Sequence, residues 1–89
     1  MKSTSDRSPA HDLNLCAEGL VLLFRSAFQR DTITADDDFF GLDGDSIIAT
    51  ELMIAIEKQF GVALSISALL EVPTPRKLAA MILARKEQG

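Results

Sequence analysis

Between two segments whose apolar residues recur at helical spacing lies a stretch with no periodicity, Arg30 to Asp45, reading RDTITADDDFFGLDGD. A connection that long is uncommon in a small domain, and it is usually functional or anchored by its own side chains. Ile33, Phe39, Phe40 and Leu42 are the natural anchors here. Gly41 and Gly44 would let the backbone turn sharply just before the next helix. Whatever this chain folds into must therefore hold an acidic loop in place with a few apolar side chains.

The flanking segments predict helices. Leu13, Cys16, Ala17, Leu20, Phe24, Ala27 and Phe28 fall at spacings of three and four, one stripe of a helix running to about Gln29 with Asp12 as its candidate N-cap. A second helical pattern runs from Ser46 to Phe60 and stops at Gly61. Val62 and Leu64 then alternate around Ala63, and Ser65 or Ser67 could cap a short helix through Leu70. Thr74 followed by Pro75 is an N-cap with proline at the first helical position, so a last helix should cover about 76–86 and bury Leu78, Ala79, Ile82 and Leu83. No strand pattern and no repeat is present. The expected fold is all-α, a bundle of three main helices plus one short helix, with residues 1–11 as a loose leader and 12–87 as the folded domain.

Size and composition narrow the function. A chain of 89 residues has one modest core and no room for a deep active site. The formal charge of -4 disfavours a grip on phosphate backbones, so nucleic acid is not an expected partner. The longest apolar run, Leu78 to Ala84, is seven residues, too short to cross a bilayer, and the polar start MKSTSDRSPAHD lacks a signal peptide's apolar centre. The cytoplasm is the expected compartment, and the single cysteine, Cys16, fits a reducing one. On the apolar stripe of the first helix, Cys16 reads as an inert core residue.

Asp45 and Ser46 stand where the loop meets the second helix. Either could simply cap it, although the capping box is absent because Ala49 stands where Glu or Gln would be. An exposed serine at a helix N-terminus is also suited to carrying a phosphate ester, since free amides and the helix dipole favour negative charge there. Nucleophilic catalysis fits poorly: the nucleophile elbow's second glycine is missing and the only histidine is His11, in the leader. Metal binding fits no better, because His11 and Cys16 have no partners at ligand spacing. An EF-hand started at Asp36 or Asp43 would place Ile47 or Ile54 where glutamate is required.

The second helix has more apolar residues than one buried face needs. Ile48, Ala49, Leu52, Met53, Ile56 and Phe60 account for a core stripe, leaving Ile47, Thr50 and Ile54 on a flank. That flank is either buried against the loop or third helix, or it is an interaction face. Residues 31–60 hold eight acids, Asp31, Asp36, Asp37, Asp38, Asp43, Asp45, Glu51 and Glu57, against Lys58 alone. An acidic rim around exposed isoleucines would steer a basic partner surface towards Ser46.

The run Asp37-Asp38-Phe39-Phe40-Gly41-Leu42-Asp43-Gly44-Asp45-Ser46-Ile47, with Phe60-Gly61-Val62 and Pro73-Thr74-Pro75 downstream, resembles the carrier-protein family over about residues 13–86. The Phe39-Phe40 pair and the segment from Ala68 to Thr74 are more similar to peptidyl or aminoacyl carriers of nonribosomal peptide and polyketide assembly than to fatty-acid carriers. The resemblance implies that Ser46 accepts 4′-phosphopantetheine from coenzyme A through a Mg-dependent phosphopantetheinyl transferase, and that cargo is held on its thiol as a thioester. Asp45 would be the motif acid. Ile47, Thr50 and Ile54 match positions that meet partner enzymes, with Glu51 and Asp43 beside them. Asp43 is a departure, standing where many peptidyl carriers have glycine; a positive φ there would suit Asp better than most residues. Implied partners are adenylating, acyltransferase and condensing or ketosynthase enzymes acting on a monomeric carrier that is not itself an enzyme. From Met1 to Gly89 the expectation is a discrete carrier. The alternatives are an acyl carrier for fatty-acid or lipid synthesis, a D-alanyl carrier, and a non-catalytic helical interaction module.

Overall fold

The computed structural model describes residues 9–88, with side chains from Asp12 to Lys86, so residues 1–8 of the expected leader and the side chain of His11 lie outside the described residues. Four helices follow in order: α1 (Pro9–Phe28), α2 (Ser46–Phe60), α3 (Ile66–Glu71) and α4 (Pro75–Gln88), with no strand among the described residues. The architecture is the all-α bundle expected from the periodicity. α1 starts earlier than its capping signal suggests, and Asp12 lies in its first turn rather than at its cap. Pro9 suits that first turn, where its missing N–H has no helical acceptor to lose.

The helix ends follow from local chemistry. α1 stops without a glycine: Gln29 takes a left-handed φ of 57° and Arg30 N–H donates back to the Arg25 carbonyl at 3.0 Å. α2 ends at Gly61, whose φ of 73° lets its N–H reach the Glu57 carbonyl. Ser65, not Ser67, caps α3 by accepting from Ala68 N–H. Thr74 Oγ1 accepts from Lys77 N–H at 3.2 Å, with Pro75 buried at the first position of α4.

α1 packs along α4 and against α2, while α3 rests on α2. The core between them is aliphatic, with Leu20, Leu52, Ile56, Leu78 and Ile82 fully buried beside Phe24. Val62 and Leu64 turn inward from the α2–α3 connection, with Ala63 between them exposed. The long loop is pinned by Ile33 and Phe39, which are 1% and 2% exposed. Leu42 is half-buried, but Phe40 is exposed and is not the anchor its apolarity suggests. Phe39 meets Phe24 edge-on at 6.5 Å and Phe28 at 5.4 Å, and its N–H donates to the Pro73 carbonyl at 2.8 Å.

Further ties stitch the loop to the bundle. Arg25 Nε donates to the Ile33 carbonyl at 2.9 Å, and Arg76 N–H to that of Ala35 at 3.0 Å. Arg76 also pairs with Asp36 at 2.8 Å, which holds the Asp36 carboxyl below the usual carboxylate range. Both partners are solvated, so this pair adds little stability.

Cys16 is buried with its Sγ facing the Ala79 carbonyl at 3.9 Å, and burial pushes its thiol pKa up, only partly offset by the Lys86 charge. It should therefore stay unreactive towards a disulfide reagent in the native protein at neutral pH and react fully in denaturant, as absorbance of the released thiolate would show. The packing predicts a second contrast. Leu52→Ala should cost about 2 to 5 kcal/mol in urea unfolding. Ile54→Ala, two residues further along the same helix, should change stability by about 0.5 kcal/mol or less.

Candidate functional site around Ser46

A helix must satisfy its first amides, and at the start of α2 Asp45 does so. In extended backbone (φ -124°, ψ -177°), it accepts the Ile48 N–H on Oδ1 at 2.9 Å, while its carbonyl accepts from Ala49 N–H. The capping role that sequence left open between two residues thus falls to Asp45. Ser46 becomes the first helical residue, exposed, and its hydroxyl takes part in none of the described side-chain hydrogen bonds. Its carbonyl accepts from Thr50 Oγ1 at 2.8 Å, so Thr50 braces the first turn.

The turn that delivers Asp45 and Ser46 is built differently from expectation. Gly41 and Gly44 do not adopt a positive φ; Asp43 does, at 64°. Asp is among the few non-glycine residues that tolerate this region. Gly44 is needed for space instead, because a Cβ there would overlap three atoms of the Phe39 ring, even the farthest, Cδ2, lying only 2.6 Å away. The backbone closes the same turn, with Gly44 N–H donating to the Phe39 carbonyl at 3.0 Å and Asp43 N–H to that of Phe40 at 3.1 Å.

Beside Ser46 the α2 flank is open. Ile47 is 69% and Ile54 52% exposed, and Thr50, Glu51 and Asp43 are exposed too, so the bundle does not cover that stripe. Sequence reasoning missed that Phe40 from the loop and Ile66 and Leu70 from α3 extend the apolar surface. The signal was available: α3 is six residues long and has Ile66 and Leu70 in addition to buried Ala68 and Leu69, more apolar side chains than its one inner face can hide. A shallow groove of about 170 Å³, lined in part by Phe40, Ser46, Ile66 and Leu70, lies at the junction. Sequence gave no sign of it, yet it is smaller than the roughly 300 Å³ at which pockets begin to enclose a small ligand.

Four of the loop and cap acids have structural duties. Asp37 accepts from Thr34 N–H, Asp38 from Phe40 N–H, Asp36 pairs with Arg76 and Asp45 caps α2. Each still has carboxylate charge, so the site remains negative. Among the described residues no group of His, Cys, Asp and Glu side chains has metal-binding geometry. No helix among them is long and apolar enough to cross a membrane.

This site suits covalent attachment of a phosphate ester: a primary hydroxyl, solvent-facing, at a helix N-terminus, and relieved of capping by its neighbour. Comparison with known proteins points the same way. The family model described as "Phosphopantetheine attachment site" matches residues 18–82. The dimodular nonribosomal peptide synthase of Bacillus subtilis is 42% identical over 62 residues, 70% of this chain but 3% of that protein. Vanchrobactin synthetase VabF of Vibrio anguillarum is 34% identical over 64 residues, 72% of this chain and 2% of that one. The chain thus spans only a few per cent of the length of these relatives. Among solved structures, BlmI, a type-II acyl carrier protein from Streptomyces verticillus involved in bleomycin biosynthesis, superposes with a TM-score of 0.77 at 25% identity, covering 82% of this chain and 88% of BlmI. With the family model spanning most of the bundle and these relatives agreeing with it, the chain belongs to the phosphopantetheine attachment-site family, non-catalytic carriers to which 4′-phosphopantetheine is covalently joined.

Proposed function

We propose that Ser46 is the attachment residue and that the chain carries aminoacyl or acyl intermediates in nonribosomal peptide or polyketide biosynthesis. The observation that carries this reading is the division of labour at the start of α2, where Asp45 takes the cap and Ser46 keeps a free hydroxyl. The kinship with nonribosomal peptide synthetase carrier segments supports the cargo class over fatty-acid or cell-wall roles. In the step this implies, Ser46 Oγ bonds to the pantetheine-side phosphorus of coenzyme A. The phosphoanhydride bond breaks, adenosine 3′,5′-bisphosphate leaves, and the hydroxyl proton passes to the transferase. When bound, 4′-phosphopantetheine supplies a flexible arm and a terminal thiol that holds the cargo.

The chain's own residues do the rest by position. The groove beside Ser46 is too small to enclose a substrate, so a tethered cargo reaches partner sites at high effective concentration instead. Exposed Ile47 and Ile54, with Thr50, Glu51 and Asp43 beside them, form the proposed contact face for the transferase and for adenylating, acyltransferase and condensing or ketosynthase partners. Apolar contact gives the hold and the acids give the approach, so that partners bind and release quickly.

Incubation with coenzyme A and a broad-specificity phosphopantetheinyl transferase should add one phosphopantetheine to the wild type and none to Ser46→Ala, read by intact mass. An unchanged wild-type mass would refute the attachment reading. Ile47→Asp and Ile54→Asp should each lower kcat/KM for transfer by about tenfold while leaving the far-ultraviolet dichroism intact. Loss of helicity instead would mean that those residues support the fold rather than the encounter.

A further inference from the structure

We propose that Phe39 and Gly44 are a positioning pair for Ser46: the Phe39 ring is the wall against which Gly44 is seated, and this contact fixes where the serine hydroxyl stands during modification. The proposal rests on Ser46 being the attachment residue. Phe39 is held from several directions at once. Its ring is 2% exposed and packs edge-on among Phe24, Phe28 and Phe40, and its N–H is tied to the Pro73 carbonyl at 2.8 Å. Its own carbonyl accepts from Gly44 N–H at 3.0 Å, and its ring fills the space a Cβ at position 44 would need. Gly44 therefore has no freedom to move inward. It is followed immediately by Asp45, which is locked as the N-cap, and then by Ser46. The core, the α3–α4 turn and the serine are joined through one residue.

The contact is uncompromising because the overlap is with ring carbons of a buried side chain rather than with the tip of a flexible one. An alanine at 44 has to push the Phe39 ring into the core or lift the turn away from it. The second path displaces Asp45 and Ser46, the cap and the first residue of α2, while the rest of the helix, Ile54 included, stays in place. Misplacement of a reacting atom by about 1 Å can cost on the order of a hundredfold in rate. Ser46 Oγ must approach phosphorus opposite the departing adenosine bisphosphate, so the loss should appear in kcat. The KM for coenzyme A, which binds the transferase, should hold.

The test is a double-mutant cycle on the whole chain, with transferase kinetics and thermal unfolding measured for each variant. Gly44→Ala should fold and lose about tenfold or more in kcat with the KM for coenzyme A unchanged. Phe39→Leu shortens the wall and alone should slow modification, yet in the Gly44→Ala background it should recover most of the lost rate. Losses that simply add in the double variant, as at independent sites, would show that the ring and the glycine do not act through one contact. Gly61→Ala is the stability control: its φ of 73° makes the substitution strained, while nothing lies within 4 Å of the added methyl. It should lower Tm and leave kcat within about twofold of the wild type. Gly44→Ala at wild-type rate overturns the proposal, as does a loss that Phe39→Leu deepens instead of relieving. Should Gly44→Ala fail to fold, the double variant decides: rescue of folding without rescue of kcat also overturns it. An unmodified wild type would refute the attachment of the arm to Ser46 itself, a failure distinct from a modified wild type whose Gly44→Ala variant is equally fast.

Discussion

A loop without a hydrogen-bond ladder takes its shape chiefly from the few side chains it buries, and here Ile33 and Phe39 have that task. Everything at the start of α2 depends on where they fix the chain. Phe39 brings a backbone carbonyl, a backbone amide and a ring to one point, so that the α3–α4 turn on one side and Gly44 on the other are located by the same residue. The solvated Arg76–Asp36 pair and the Asx-type contacts of Asp37 and Asp38 refine the path of the loop. They cannot replace the buried ring, because exposed ion pairs and single solvated hydrogen bonds are each worth about 1 kcal/mol or less.

The consequence at the site is a separation of two demands that a single serine often has to reconcile. A serine at a helix start is usually consumed by its own helix, its oxygen accepting an amide. Moving that duty to Asp45 releases Ser46 to solvent while the helix keeps its cap and its favourable anion near the positive end of the dipole. Asp43 contributes the backbone reversal that lets the pair arrive in this order, at a φ of 64° where glycine would be easier. A partly unfavourable backbone at a turn with such a role is consistent with constraint by the surrounding contacts rather than by local preference.

Much of this was legible in the residues, and the exceptions have physical causes. Helical periodicity located α2 to the residue, since Gly61 ends it and Ser46 opens it. Thr74-Pro75 announced α4 because cap and proline chemistry are local. The end of α1 fell within a residue of the reading at Gln29, whereas its start lay earlier than the Asp12 cap signal, because Asp12 sits in the first turn. Phe39 and Phe40 are adjacent and identical in type, and only tertiary packing tells the buried ring from the exposed one. The role of Gly44 was likewise hidden: a glycine required by a neighbour's bulk reads the same as one required by a turn. Counting acids gave no sign of the duties of Asp36, Asp37, Asp38 and Asp45 within the loop and cap.

Those duties bear on how an apolar surface can stay open. Phe40, Ile47, Ile54, Ile66 and Leu70 expose side chains that would ordinarily invite self-association. Two copies meeting through this face would also bring together Asp43, Asp45, Glu51 and Glu57, all exposed on the turn or helix that carries it. Desolvating like charges opposes that encounter, whereas a partner with basic groups around an apolar recess meets no such opposition. The loop's carboxylates thus hold its own backbone in shape as acceptors, and under the proposed function the same charges would also select what the exposed isoleucines touch.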